Sequence, residues 1–265
     1  MPDLEPTSPD DVARAILAAG PPLALLDFDG TLSPIVDDPE AAAPAVGALA
    51  AVRRVAAVMP VALVSGRPVD DLLRRIPADL PVTLAGGHGA EVRTPDGAHD
   101  TLIDLDEVTP TLDRLERALL ETVDQEVGWY VERKPTGVAV HHRRVRGAVQ
   151  PVLDEVRRHM QAVTDTPPGF GFVDGKAVTE VRVAGIDKGG VVRRLAAEWP
   201  DRTPFFVGDD VTDEDAFVAC NDLGGCTVVV AEAPRPTAAA LRLTSPGEVV
   251  AMLNGLAALM TPGAP

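Results

Sequence analysis

Residues 23–35 read LALLDFDGTLSPI, an unbroken apolar run that ends in Asp27 and Asp29, one residue apart, and turns at Gly30. A short run with no polar alternation is the pattern of a parallel strand buried on both faces. Such strands build α/β sheets, whose ligands bind outside the carboxyl ends of the strands. Two carboxylates at that end repel each other. A pair of unit charges 4 Å apart costs about 4 kcal/mol at an effective dielectric constant of 20. The pair must raise a pKa, separate, or share a cation. Taken alone, it is also compatible with a solvated turn.

Working outward, the spacing predicts a helix over 9–19, stopped by Gly20 and two prolines. A second is expected over 44–58, with Pro44 in its first turn and Pro60 beyond its end. VALVSGR (61–67) reads as a second buried strand followed by a short helix to Arg75. VTLAGG and GAEVR give further strands, and TPDG (94–97) a turn. The pattern then changes. A helix over 111–127 precedes a hairpin over 129–143 that turns at PTG; a helix over 147–162 precedes a second hairpin over 170–183, turning on Asp174-Gly175. From AGIDKGG onward the first pattern returns, with a helix over 188–198, the strand PFFVGDD, a helix from 213, the strand TVVV (227–230) and terminal helices. The expected architecture is therefore an α/β core over 1–107 and 184–265, with a parallel sheet and helices on both faces. Into it is inserted a smaller α+β unit over 108–183, an antiparallel sheet covered by two helices.

The bulk properties limit what such a chain binds. Its 265 residues suffice for one large core or two modest ones, and 46% hydrophobic with 24% charged residues is ordinary for a globular protein. A formal charge of −16 disfavours nucleic acid and anionic membrane surfaces as partners. No segment has the 18 uninterrupted apolar residues of a membrane span. The opening residues carry prolines and acids where a secretory signal has positive charge and then a long apolar run. Cys220 and Cys226 are the two cysteines, read as buried free thiols, and the expected compartment is the cytoplasm. Lys134, Lys176 and Lys188 are the only lysines in a chain whose other cations are arginines.

Three polar clusters fall at the carboxyl ends of expected strands: DFDGT (27–31), SGR (65–67) and GDDVTDED (208–215). With Lys188 opening a helix, they place Asp27, Asp29, Ser65, Lys188, Asp209, Asp210 and Asp213 around one mouth. An all-oxygen donor set without His or Cys suits Mg²⁺ better than zinc, and Mg²⁺ in such sites is shared with a substrate phosphate. A calcium loop of the helix–loop–helix kind fails, because its sixth position would be Leu32 rather than glycine. Thr212 and Asp215 fit a helix capping box, which gives Asp215 a structural role.

Together DFDGTLSPI, SGR, GIDKGG and GDDVTDEDAF resemble the four sequential motifs of the haloacid dehalogenase (HAD) superfamily of aspartate-nucleophile phosphatases. GGHGAE, VERKPTGVAVHHR and DGKAVTEVR narrow the resemblance to the trehalose-6-phosphate phosphatase family, over about residues 22–230. What the resemblance implies is a Rossmann-like HAD core with an inserted cap domain. It implies a Mg²⁺-dependent phosphatase that releases trehalose and phosphate from a small sugar phosphate. Asp27 would be the nucleophile, Asp29 the general acid and base, and Ser65 and Lys188 phosphate ligands. Mg²⁺ would be held by Asp27, the Asp29 carbonyl and Asp209, with Asp210 and Asp213 as supporting acids. Gly30 and Arg67 would border the substrate. In the cap, Glu132, Lys134, Lys176 and Glu180, with Arg143, would meet the sugar hydroxyls. On alternating strands Glu132 and Lys134 share a face, as do His141 and Arg143, and Glu180 and Arg182.

Three positions depart from the family pattern: Phe28, where a tyrosine is frequent; Gly87, where an asparagine often precedes His88; and His142, where a tyrosine is usual. The remaining alternatives are a phosphatase of another sugar phosphate (sucrose phosphate or glucosylglycerate phosphate), a phosphosugar mutase, or a catalytically silent phosphosugar sensor.

Overall fold

The computed structural model describes residues 4–36, 38–134, 136–147, 149–175 and 177–261. Lys176 and Pro135 of the expected PTG turn therefore lie outside the described residues. The chain divides into two compact units. One holds the residues up to Leu102 together with those from Asp187 onward, and the other is Ile103–Ile186.

In the first unit the chain opens with α1 (Pro9–Ala19). The Ser8 hydroxyl caps it by accepting from the Asp11 N–H, and Pro9 stands at its first position. β1 (Pro22–Leu26), α2 (Ala48–Ala56), β2 (Val61–Val64), α3 (Val69–Arg75), β3 (Thr83–Gly86), β4 (Glu91–Arg93) and β5 (His99–Thr101) follow. The second unit contributes α4 (Leu105–Thr122), β6 (Tyr130–Lys134), β7 (Gly137–His141), α5 (Gln150–Gln161), β8 (Phe170–Gly175) and β9 (Val178–Val183). The first unit then resumes with α6 (Lys188–Glu198), β10 (Thr203–Gly208), α7 (Glu214–Asp222), β11 (Cys226–Val230), β12 (Leu241–Leu243) and α8 (Pro246–Met260).

The larger sheet has the order β12-β11-β10-β1-β2-β3-β4-β5. From β12 to β3 every pairing is parallel, and β4 and β5 add antiparallel strands at one edge. β1 lies between β10 and β2, and the chain runs outward from it in both directions. Its carboxyl end is thus the switch point where an open α/β sheet leaves a crevice. Alternate residues of the central strands face opposite layers. Ala24, Leu26, Leu63, Phe205 and Val207 pack with residues of α1, α2, α3 and α8. Leu23, Leu25, Val64, Phe206 and Val229 pack with residues of α6 and α7. The uninterrupted apolar reading of LALLD follows directly: both faces are covered. Cys220 and Cys226 are buried free thiols in this unit, and burial pushes them up to about 12 and about 11.

The second unit is a sheet of order β6-β7-β9-β8, all antiparallel, with α4 packed against β6 and β7 and α5 against β9. One face buries Val131, Val138, Val140, Val181 and Val183, matched by Leu112, Leu115 and Leu119 of α4 and Leu153 and Val156 of α5. No described helix of the chain is long and apolar enough to cross a membrane.

Several expected boundaries move, each for a local reason. α2 starts at Ala48 because Gly47 takes a left-handed φ of 83° and the Ala45 N–H is drawn to the Leu32 carbonyl, which leaves Pro44 outside the helix. α4 starts at Leu105, capped by Asp104, and runs through Pro110. The proline leaves the Asp106 carbonyl without its helical donor, and Pro110 and Asp106 are both exposed. That helix ends at Thr122, and 125–127 form a separate 3₁₀ turn capped by Asp124. The second hairpin pairs Asp174 with Thr179 and Gly175 with Val178, so Asp174-Gly175 are strand residues rather than the turn. The turn includes Ala177 at φ 65°. β12 was not expected at all.

Phe217 of α7 meets Phe206 of β10 edge to face, with centroids 5.7 Å apart, and both are fully buried. Phe217→Ala should lower unfolding stability by roughly 3–5 kcal/mol, read by urea denaturation.

Candidate active site

Asp27 is the first residue past β1, and its N–H still bonds to the Val207 carbonyl, which carries the β1–β10 ladder one step beyond the strand. That step buries the Asp27 side chain to 5% exposure. Lys188 is the first residue of α6, 3% exposed, and the helix is capped by Asp187 accepting from the Gly190 N–H at 2.8 Å. The Lys188 ammonium donates to Asp27 Oδ1 at 2.7 Å and to Asp213 Oδ1 at 2.6 Å. Asp213 is wholly buried, and its second oxygen accepts from the backbone N–H groups of Asp209 and Asp210, each at 2.9 Å. The expected capping box at Thr212 and Asp215 is instead formed two residues earlier, between Asp210 and Asp213.

Among the described residues, Asp27, Asp209 and Asp213 bring one carboxylate oxygen each to within 4.8 Å of one another. Three carboxylates against one ammonium leave a net negative, mostly buried cluster. Burial drives the Asp27 pKa well above the carboxylate range; Lys188 opposes this, and Asp213 and Asp209 add to it. Asp209 is raised to about 7, first by burial and then by the charges of Asp213 and Asp210. Burial disfavours the Lys188 charge, but Asp27 and Asp213 more than offset it, and its pKa is raised. A divalent cation is what this donor chemistry lacks, and the oxygens fit a hard one. Asp213 already spends both oxygens on Lys188 and the loop amides, so Asp27 and Asp209 are the acids free to take it.

Gly30, at φ 74°, is held where a Cβ would lie 2.0 Å from an Asp209 carboxylate oxygen. The glycine that was expected to border the substrate thus gives room first to the second acid of the cluster. Asp210 is exposed and its carboxylate accepts from the Thr212 hydroxyl, so its side chain is not one of the three.

Asp29 is directed elsewhere. Both its oxygens accept from Arg67, Nε at 2.6 Å and Nη2 at 2.8 Å, a bidentate fork. Arg67 is in turn held by Asp71 on α3 at 2.8 Å, and Asp71 also accepts from Arg74 at 2.6 Å and pairs with Arg75 at 3.0 Å. Asp71 was not singled out in the sequence, although its i,i+4 spacing from Arg67 was available to read. Ser65 is buried at the carboxyl end of β2, beside β1, and its hydroxyl accepts from the Arg67 N–H at 3.1 Å. His88 packs over Gly66 of the same SGR segment, so closely that a Cβ there would meet its ring at 2.7 Å.

In the second unit, the register sets Glu132, Ala139 and Glu180 side by side across β6, β7 and β9, with Lys134, Gly137 and Arg182 in the next row. Lys134 pairs with Glu180 at 3.1 Å, and His141 with Glu132 at 2.8 Å. The small residues Ala139 and Gly137 stand at the centre of this face between the charged groups. Arg143 lies past the end of β7, exposed in a turn, so the strand alternation that would put it beside His141 does not reach it. His142 stacks against buried Trp129 and its pKa is lowered, chiefly by burial.

The trehalose-phosphatase family model matches residues 25–247. The chain belongs to this family. A trehalose-phosphate phosphatase of Mycobacterium marinum is 36% identical over 249 residues, which cover 91% of this chain and 62% of that protein. The chain therefore spans less than two thirds of the length of that curated relative. The trehalose-6-phosphate phosphatase structure from Aspergillus fumigatus superposes with a TM-score of 0.77 at 25% identity, covering 97% of this chain and 99% of that one. A HAD-superfamily phosphatase from Bacteroides thetaiotaomicron shares the fold, with a TM-score of 0.59 at 17% identity. The HAD core with an inserted cap is thus the architecture of this chain, and Asp27, Asp29, Ser65, Lys188 and Asp209 lie within the matched span.

The electrostatics of the core can be tested on metal-free protein. Because the folded pKa of Asp209, about 7, exceeds the ordinary 3.8, its contribution to stability is intact below 3.8 and lost as pH rises through 7. In chelator, Asp209→Asn should therefore be more stable than the parent at pH 8 by on the order of 1–3 kcal/mol. The gap should open between about pH 4 and 7, and thermal melts across that window measure it.

Proposed function

We propose that this trehalose-phosphatase family member is a Mg²⁺-dependent phosphatase that hydrolyses trehalose 6-phosphate to trehalose and phosphate. The supporting observation is the buried Asp27 carboxylate, held by Lys188 at 2.7 Å inside a cluster that calls for a further cation. With two free cysteines and no disulfide, the expected setting is a reducing cytoplasm.

The residues divide the work as follows. An oxygen of Asp27 attacks phosphorus as the bond from phosphorus to the sugar oxygen breaks, leaving an aspartyl-phosphate on Asp27 and a sugar alkoxide. Asp29, in its acid form, gives that alkoxide a proton, and as carboxylate takes a proton from the water that next attacks phosphorus. The bond from phosphorus to Asp27 then breaks, and phosphate leaves with Asp27 restored. Each Asp29 oxygen accepts one Arg67 donor, which leaves a lone pair on each for the proton it carries or takes. Lys188 orients Asp27 and offsets charge on the phosphoryl group, toward which Ser65 and Arg67 also supply donors. Asp27, Asp209 and the Asp29 carbonyl would hold Mg²⁺, which when bound would neutralise charge on the phosphoryl oxygens. Asp213 and Asp210 support the loop that carries Asp209. On the cap, Glu132, Lys134 and Glu180, with Lys176 and Arg143, would contact sugar hydroxyls, which both donate and accept.

A phosphate-release panel over trehalose 6-phosphate, sucrose 6-phosphate, glucosylglycerate phosphate and glucose 6-phosphate, with Mg²⁺, tests the substrate. Trehalose 6-phosphate should give the highest kcat/KM; a different preferred sugar replaces this substrate with that one. Asp27→Asn should lose at least about 10³-fold in kcat, while activity retained by that variant removes Asp27 as nucleophile. Glu132→Ala and Glu180→Ala should each lower kcat/KM for trehalose 6-phosphate by about 10–100-fold and leave hydrolysis of a small aryl phosphate unchanged.

A further inference from the structure

Beyond the acids themselves, a guanidinium grips the loop that carries Asp209. Arg235 lies in the loop between β11 and β12, flanked by prolines and 26 residues from Asp209 in the chain. Its Nη2 donates to the backbone carbonyls of both Asp209 and Asp210, each at 3.0 Å. Its Nη1 donates to Glu214 Oε1 at 2.6 Å, and the other oxygen of Glu214 accepts from the Ala238 N–H at 2.7 Å. In the same loop, the N–H groups of Asp209 and Asp210 are held by buried Asp213. The 209–210 peptide is therefore fixed at both ends, its N–H by Asp213 and its C=O by Arg235, the peptides on either side are each held once, and the direction of the Asp209 side chain follows from them.

A role confined to stability explains this poorly. The Arg235 Nε is buried with no partner among the described residues, which costs free energy that an apolar residue would not. The donors that are satisfied reach the Asp209 loop and its Glu214 anchor, with a longer contact from Nη1 to the adjacent Pro236 carbonyl at 3.2 Å.

We propose that Arg235, anchored by Glu214, is a positioning residue that fixes the 209–210 backbone and so presets the Asp209 carboxylate for a divalent cation. This rests on the metal reading of the cluster given above. Presetting lowers the ordering required when the ion binds, so loss of the clamp weakens metal affinity while leaving the nucleophile in place.

The test is titration calorimetry of MgCl₂, and separately MnCl₂, into metal-free protein, alongside steady-state kinetics across metal concentration. Arg235→Ala should weaken metal binding at least tenfold and raise the metal concentration for half-maximal activity in parallel, with kcat at saturating metal lowered less than threefold. Glu214→Gln, which keeps the shape and loses the anchor, should weaken binding about three- to fivefold. Arg235→Lys, able to reach one carbonyl, should recover part of the loss. Val52→Ala, a cavity variant in α2, provides a destabilised control and should bind metal as the parent does. Equal affinity in the parent and the Arg235 and Glu214 variants overturns the inference and leaves the metal reading standing, as does an equal weakening by Val52→Ala. Absence of binding by the parent overturns the metal reading and this inference together. If Arg235→Ala does not fold, Arg235→Lys and Glu214→Gln decide it by the same criterion.

Discussion

The Lys188 ammonium between Asp27 and Asp213 is the interaction on which the site depends. It links the end of β1, the start of α6 and the turn after β10 through two buried contacts of 2.7 and 2.6 Å. A buried ion pair is seldom a net gain in stability over a well-packed apolar group, and removing one partner typically costs 3–5 kcal/mol. What this arrangement supplies is fixed geometry, and it remains electrically incomplete. Three carboxylates stand against one ammonium, an excess of negative charge whose oxygen donors suit a hard cation.

Around that centre the chain arranges charge in two linked systems. On one side Asp29, Arg67 and Asp71 form a chain of ion pairs that runs from the carboxyl end of β1 back into α3. On the other, Asp213 and Arg235 hold opposite ends of the 209–210 peptide. Each system uses arginine where two donors must point at once, and the centre between them uses lysine where a compact charge must fit between two acids. Guanidinium and ammonium are not interchangeable in these places. The scarcity of lysine in a chain rich in arginine acquires a meaning at Lys188, where the buried gap suits only the smaller head.

Much of this was legible in the sequence, and the reasons for what was missed are physical. LALLD announced a strand buried on both faces because nothing polar interrupts it, and DFDG, SGR, GIDKGG and GDDVTDED fell at the strand ends that periodicity located. Boundaries failed where tertiary contacts outweighed local preference. Ala45 is tied to Leu32 across the loop, so Pro44 does not open α2. Exposure of Asp106 lets α4 run through Pro110. The pairing of Gly175 with Val178 moves a turn that Asp174-Gly175 advertised. Within the site, positions were readable but partners were not. No local pattern joins Arg67 to Asp29 or Arg235 to Asp209, since each pair is made by chain segments that only the sheet order brings together. Arg143 shows the converse: alternation is informative only as far as the strand continues.

The sheet order also carries a consequence for how the chain is made. β1 is central, yet one of its two neighbours, β10, lies beyond the whole inserted unit, and the Lys188 contact to Asp27 closes a span of 161 residues. During synthesis from the amino end, β1 to β5 emerge first with an apolar edge of β1 open to solvent. They are followed by a cap unit whose contacts are largely its own. The charged centre cannot assemble until α6 and β10 have appeared. Long-range parallel pairing of this kind is slow, and exposed edges invite association with other chains. The acidic surface implied by a net charge of −16 is thus an asset before folding ends, because mutual repulsion keeps half-made chains apart while β1 waits for its partner.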